Sequence, residues 1–557
     1  MTSRRASSLA VLAGFLVALA YTIWLLSPRF GIASPSAIDD WNGASRDAAS
    51  LGDLIGPFFE SPVQRFRPGF DLFDYVEWHT FGAPFDMTGP NLWNVLRVAL
   101  LLAAIGVVPA LLARALRPDL SPFALGALTA VPPCLVVTGT AIPVDLARLA
   151  PQEPMLIGAT VCGAALVLLG LDRRLAGGSP AHVLWPIAVG WPLFVLGATS
   201  KEASMAFLAA APFVYLFLLR RWRERNLVDS FWDPFRRPAF LACAAALALP
   251  LLWVTFRAAT IGEAGADLYQ AGSPTGAGEW GDRLRQAWDL QWGAFGETVR
   301  SPLWRALAIA LPVVAVGVAL DRRRVPWLAV GLGIAAVIML VIQGLPAVVT
   351  SRYFLPTMAL LAMAATLLLA QGRAWLRWGA LAAAVVAIVS GTGSARDSVE
   401  AWADGERDTS AVVAELADLA ERGCRVHMWG LDVERGEALP RLVALEMDGI
   451  ERDCPAGDDV FVVTLGGGPV ERTGNDVDAA CAEDWEGHGS AGIWTLMRCG
   501  ELRPRVEGEP TAALLRRVRL VPGVGDLERK RCLAREPDVR GCDRPALDRS
   551  QMLPAGP

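Results

Sequence analysis

Eleven apolar stretches punctuate the chain, over residues 7 to 27, 92 to 112, 121 to 141, 155 to 171, 183 to 198, 203 to 219, 238 to 258, 303 to 320, 326 to 345, 353 to 370 and 374 to 391. Each is about as long as a helix must be to cross a hydrocarbon core of roughly 30 Å. Arginine recurs in every second gap: Arg4 and Arg5, Arg114 and Arg117, Arg173 and Arg174, the run from Arg220 to Arg225, the run from Arg322 to Arg324, and Arg373 with Arg377. Basic residues gather in cytoplasmic loops, so these gaps and the N-terminus are expected in the cytoplasm. The other gaps hold Asp39, Asp40, Arg67, Glu153, Lys201, Glu202 and Arg352 and are expected to face out.

An odd number of crossings leaves the last part of the chain outside as well. Near Ser394 the apolar periodicity gives way to mixed charge, which divides the chain into a membrane domain (1–393) and a C-terminal domain (394–557). Within the latter, residues 408 to 422 read as an amphipathic helix, and Arg425 to Trp429, Val460 to Leu465 and Gly492 to Met497 read as strands. The expectation is a polytopic α-helical membrane protein of about 11 transmembrane helices, with a small α/β extracytoplasmic domain and an irregular Pro- and Arg-rich tail after residue 503. Its place would be the cytoplasmic (inner) membrane.

Composition agrees. A mean hydropathy of +0.38 and 53% hydrophobic residues suit a chain immersed in lipid, and a net charge of -5 does not point to nucleic acid. Cys134, Cys162 and Cys243 lie in apolar stretches, where a thiol packs as a small hydrophobe. Cys424, Cys454, Cys481, Cys499, Cys532 and Cys542 all follow residue 394, and an even set in an exported domain reads as disulfides. Metal binding is the weaker reading, since the chain has no CxxC pair and only 4 histidines. The first stretch reads as an uncleaved anchor, its apolar core being longer than that of a signal peptide.

The chemistry gathers in the first outward gap, residues 28–91. It is far longer than a helix connection requires, and long structured loops tend to be functional. Its aromatic residues suit short amphipathic helices lying on the membrane surface. Asp39 and Asp40, followed by Trp41, stand about a dozen residues beyond the first stretch, and Arg67-Pro68 and Trp78-His79 follow. A helix cap or solvated turn would account for a bare Asp-Asp pair. Beside an aromatic ring and an arginine, the same pair suits an acidic, lipid-linked sugar: the carboxylate accepts a proton from a hydroxyl, and the guanidinium holds phosphate oxygens.

Lys201 is the only basic residue among the first 529 that is not arginine. It lies in the turn Ser200-Lys201-Glu202, where a snorkelling side chain is the bland account. A compact cation for phosphate, oriented by the neighbouring Glu202, is the functional one. Arg352, at the head of the stretch that begins near Tyr353, stands on the side where the positive-inside rule does not call for arginine.

These elements in this order resemble the GT-C superfamily of membrane glycosyltransferases, and within it the protein O-mannosyltransferase branch and its relatives with tetratricopeptide segments. The resemblance rests on Asp39 and Asp40, the Arg67-Pro68 step, Ser200-Lys201-Glu202, and Arg352-Tyr353 with Pro356 after it, and it covers roughly residues 7 to 391. It implies a first-loop aspartate as catalytic base, a polyprenyl-phosphate sugar as donor, a hydroxyl-bearing acceptor and inversion at the sugar carbon. Two features depart from the family. The second outward loop, Ala141 to Pro154, offers Asp145 and Glu153 but lacks the family's His-Pro start, and the C-terminal domain has no tetratricopeptide pattern.

The expected site therefore has Asp40 as base with Asp39 beside it. Lys201, Arg352 and Arg67 serve the leaving phosphate, and Trp41, Glu202, His79 and Glu153 bind substrate. No cofactor is required. Some GT-C members use a divalent metal; with three candidate cations and no His-rich ligand set, one is possible here but unnecessary. A transporter or flippase of lipid-linked glycans would carry ionisable groups within its spans, whereas these stretches are almost free of charge. A noncatalytic envelope assembly protein would not need polar residues clustered on the first loop.

Overall fold

The computed structural model describes residues 2–30, 67–70, 72, 73, 76, 88–139, 142, 146, 152–261, 281, 285, 326–344, 354–422, 424–429, 460–465, 485–491, 494–499 and 513–515. Its helices are α1 (Thr2–Leu26), α2 (Thr88–Leu102), α3 (Val108–Leu116), α4 (Pro122–Val137), α5 (Gln152–Leu175), α6 (Pro180–Ala198), α7 (Ala206–Glu224), α8 (Pro238–Ile261), α9 (Trp327–Gly344), α10 (Phe354–Gln371) and α11 (Ala374–Glu421). Seven helical spans among the described residues are long and apolar enough to cross a membrane, and three shorter apolar helices join them. Together they account for ten of the eleven stretches, and the stretch from 303 to 320 lies outside the described residues. The protein is a polytopic α-helical membrane protein.

Local chemistry sets the helix ends. Ser121 caps α4, its hydroxyl accepting from the Ala124 N–H at 3.2 Å with Pro122 in the first turn. Gly177 ends α5 at φ +74°, the left-handed conformation that glycine adopts without strain. Gly178 N then reaches Arg173 O at 2.8 Å and Gly177 N reaches Arg174 O at 3.1 Å, a Schellman closure. α2 runs into α3 through a π turn over Ala103–Val107. α5 and α6 form a tight antiparallel hairpin in which Gly163 and Gly190 let the backbones touch; a Cβ on Gly163 would stand 2.4 Å from Phe194 N. Small residues drive such close packing where helix association has no hydrophobic push. A continuous core links α1 through α5 with α7, α9, α10 and α11. Tyr21 of α1 ties it laterally, its hydroxyl hydrogen-bonded to Thr138 at 2.9 Å and Thr392 at 2.8 Å.

At one end of the bundle lie the arginines that close α3, α5, α7 and α10. Arg117 grips Asp119 and reaches the carbonyl of Gln371, and Asp172 of α5 takes Arg221, Arg225 and the indole of Trp222 from α7. We call this the arginine end. At the opposite end, Asn94 of α2 donates to Leu146 O at 2.8 Å, which brings the start of α2 beside the segment that leads into α5.

α11 corrects one expectation. A span ending at 391 and a separate helix over 408 to 422 become a single helix of 48 residues that runs past Ser394, about 72 Å long at ~1.5 Å per residue. Loss of apolar periodicity marks where this helix leaves the apolar layer rather than where it stops. Residues 392–407 contain no proline, and Arg396 fastens this stretch to the end of α1, donating to Trp24 O at 2.7 Å with its guanidinium 4.7 Å from the Trp24 ring.

Beyond α11 the strands β1 (Arg425–Trp429), β2 (Val460–Leu465), β3 (Trp485–Ala491), β4 (Trp494–Cys499) and β5 (Ala513–Leu515) form a mixed sheet of order β3-β4-β2-β1-β5 that contacts the helix. β1 (Arg425–Trp429) and β2 (Val460–Leu465) fall where the alternation places them and pair in parallel. β4 (Trp494–Cys499) starts two residues later than expected. β3 (Trp485–Ala491) was not anticipated: Gly487 and Gly489 erase its alternation, and an irregularity falls between them. The tail expected to be irregular supplies β5 (Ala513–Leu515), antiparallel to β1. Cys134, Cys162 and Cys243 are free thiols, and Cys424 is disulfide-bonded.

Candidate functional site

The turn between α6 and α7 is built by its own hydroxyls. Thr199 and Ser200 fold back on the last turn of α6, donating to Val195 O and Gly197 O at 2.7 Å each. Lys201 then takes an extended conformation (φ -157°, ψ 144°), and the 3-10 turn Glu202–Met205 begins. Lys201 therefore points away from the line of either helix. It does not snorkel. It is 7% exposed, and its ammonium donates to Glu153 Oε1 in an ion pair. Glu153 stands in the first turn of α5, where the helix dipole favours a carboxylate, and is 1% exposed.

Glu202 turns the other way, to the first loop. Arg67 Nε donates to both its carboxylate oxygens at 3.0 and 3.1 Å, and Arg67 Nη2 lies 3.0 Å from Oε2. This is the bidentate geometry that arginine offers a carboxylate. Two further contacts press the loop against the bundle. Gly69 N donates to Thr199 O at 3.3 Å, and the backbone there comes so near α6 that a Cβ on Gly69 would stand 2.1 Å from Leu196 O. Phe73 packs on Met155 and Ala159 of α5, and the guanidinium of Arg97 on α2 lies 4.5 Å from its ring centroid.

The result is a chain of alternating charge, Glu153–Lys201–Glu202–Arg67, that joins the first loop, α5 and the α6–α7 turn. Between α6 and α8 lies an apolar cavity of about 430 Å³. Pro68, Gly69 and Leu72 roof the cavity, and Val195, Leu249 and Trp253 are among its walls.

Of the residues expected in the site, the structure thus brings together Lys201, Arg67, Glu202 and Glu153. The pairing differs from expectation in one respect: Lys201 takes its carboxylate from Glu153 on another helix, while its neighbour Glu202 engages Arg67. Asp39, Asp40, Trp41, His79 and Arg352 lie outside the described residues. Two buried cations at this end were not anticipated, Arg29 at the close of α1 (1% exposed) and Arg97 within α2 (0% exposed). Arg97 interrupts the apolar run from 92 to 112, and that interruption was the available signal.

No protein-family model matches the chain, and no curated protein matches it. Among solved structures it is similar to the crystal structure of ArnT from Cupriavidus metallidurans in the apo state. The identity is 13%, the match covers 88% of this chain and 97% of that chain, and the TM-score is 0.47.

Proposed function

We propose that this protein is a membrane glycosyltransferase of the GT-C type, which moves a sugar from a polyprenyl-phosphate donor to a hydroxyl acceptor on the outer face of the membrane. The observation that carries the reading is the charge chain Glu153–Lys201–Glu202–Arg67, buried at Glu153 and Lys201 and half-buried at Glu202 and Arg67, with an apolar cavity lined by Pro68, next to Arg67, and by Thr199 of the same turn. A lipid-linked phosphate needs both compartments side by side, cations for its headgroup and an apolar seat for its chain.

In this scheme a first-loop aspartate, Asp40 with Asp39 beside it, removes the proton from the acceptor hydroxyl. The acceptor oxygen bonds to the anomeric carbon from the face opposite the phosphate, the bond from that carbon to the phosphate oxygen breaks, and the configuration inverts. The phosphate leaves as a stable anion and needs no proton. Lys201, Arg67 and Arg352 compensate its charge, a role in which losing one donor typically costs about 10² to 10³ in rate. Glu153 and Glu202 hold Lys201 and Arg67 in place before the donor arrives, so little reorganisation accompanies binding. Trp41 and His79 complete the sugar site, and the charge compensation requires no metal. The cytoplasmic N-terminus, the extracytoplasmic C-terminal domain and its disulfide framework belong to the same proposal, as does placement in the inner membrane.

The test is direct. Purified protein in lipid vesicles is given polyprenyl-phosphate pentoses and hexoses, and release of polyprenyl phosphate is measured. Sugar-dependent release that stops in an Asp40→Asn variant is the expected result. Absence of release from every donor and acceptor tried would set the glycosyltransferase reading aside.

A further inference from the structure

α5, α6 and α8 leave a second cavity between them toward the arginine end, a furrow of about 450 Å³. It exists because α8 offers only small side chains there: Ala239, Ala242, Cys243 and Ala246 share one helical face and line the furrow. Val183 and Ile187 of α6 and Val167 and Leu171 of α5 form the facing walls. Trp191 closes the inner end, its indole Nε1 donating to Ala246 O at 3.1 Å, and this bridge divides the furrow from the cavity beneath the first loop.

Depth and charge define what fits. Along α6 the lining runs from Val183 to Pro192, about 14 Å at ~1.5 Å per residue, close to one leaflet of a hydrocarbon core roughly 30 Å thick. One charged side chain lines it, Arg174 in the last turn of α5. Arg174 is exposed and, among the described residues, its side chain makes no ion pair or hydrogen bond. Its neighbours differ: Arg173 donates to His182 O, Arg221 and Arg225 take Asp172, and Arg237 takes Asp233.

We propose that this furrow binds an anionic phospholipid of the leaflet at the arginine end, with one acyl chain along α8 and the lipid phosphate on Arg174. A polyprenyl phosphate shares the headgroup chemistry, but its chain is several times longer than a leaflet is deep and would meet the Trp191 bridge. The site is separate from the one proposed for catalysis and does not depend on that reading.

Native mass spectrometry of the full-length protein, delipidated and then given phosphatidylglycerol, phosphatidylcholine or decaprenyl phosphate at equal concentration, tests it. Phosphatidylglycerol should be retained about fivefold more than phosphatidylcholine, the worth of one arginine near an anionic surface. Arg174→Gln should remove that preference and Arg174→Lys should keep most of it. Ala242→Phe, which fills the furrow, should release phosphatidylglycerol. Should that variant misfold, labelling of the Cys243 thiol on the furrow wall provides the second measurement, and bound phosphatidylglycerol should slow it in the wild-type chain. Equal retention of the two phospholipids, a preference that survives Arg174→Gln, stronger retention of decaprenyl phosphate, or Cys243 labelling indifferent to lipid would each overturn the assignment.

Discussion

Two ion pairs, Arg117–Asp119 at the arginine end and Lys201–Glu153 at the other, are held in opposite ways. At the arginine end Arg117 meets Asp119 through bonds of 2.8 and 2.7 Å, and the hydrogen bond to that carboxylate holds the guanidinium above its ordinary pKa despite partial burial. The Asp119 side chain is 66% exposed and that of Arg225, which pairs with Asp172, is 45% exposed. Pairs so open to solvent contribute about 0–1 kcal/mol. At the other end the side chains of Lys201 and Glu153 are 8% and 2% exposed. Removing two charges from water costs several kcal/mol per ion, and apolar residues of similar volume often serve stability as well or better. Charge at the arginine end is where orientation in a membrane calls for it. Lys201 and Glu153 are held where folding stability alone does not call for charge.

The contrast breaks most easily at Glu153. Glu153→Gln leaves the Lys201 ammonium buried beside a neutral amide, and the expected destabilisation is ~3–5 kcal/mol, read as a large fall in the unfolding midpoint in detergent. Adding Lys201→Met should restore most of the lost stability without restoring sugar transfer. If the single variant unfolds like the wild type, the buried pair is worth no more than a surface one.

Asp40→Asn sharpens the catalytic half of the comparison. It should lower transfer by about 10²–10⁴, the usual worth of a general base, while polyprenyl-phosphate binding persists. Lys201→Arg comes next in size. The charge is kept, but a planar guanidinium does not occupy the pocket of a compact ammonium. Both Lys201→Arg and Lys201→Ala are expected to reduce transfer at least about tenfold, or ~1.4 kcal/mol. Full activity in folded Lys201→Ala protein would remove Lys201 from the site.

Much of this architecture was legible because its signals are local. Runs of apolar residues and alternating arginines mark the helices, and Lys201 stood out as the one lysine before residue 530. What could not be read was pairing. Glu153 is 48 positions from Lys201 and Arg67 is 135 from Glu202; no spacing rule joins them, and the packing of α5 on α6 does. Sequence neighbourhood suggested Glu202 for Lys201, yet the extended backbone at Lys201 sends the two side chains to different partners. Arg97 was absorbed into an apolar run because one charge among twenty residues does not change the average. The length of α11 was hidden for the reverse reason: its apolar pattern stops at the membrane boundary while its backbone pattern continues, and β3 was hidden by its glycines.

The smallest effect is expected at Asp119, and it is the control on which the contrast rests. Asp119→Asn deletes a carboxylate whose bond to Arg117 has ideal length, so geometry alone would predict a cost like that at Glu153. Exposure predicts otherwise, since water solvates the freed guanidinium and salt already screens the pair. Arg117 also retains its 3.4 Å bond to Gln371 O. Because its folded pKa is raised, the stability it contributes is fully present below arginine's ordinary pKa and lost only as pH climbs through the raised value. Its contribution is therefore constant around neutral pH, where the comparison is made. The expected change in unfolding free energy is below ~1 kcal/mol, measured beside Glu153→Gln in the same detergent. A loss at Asp119 as large as the loss at Glu153 would show that burial does not separate the two ends, and the energetic argument for the site would fall with it.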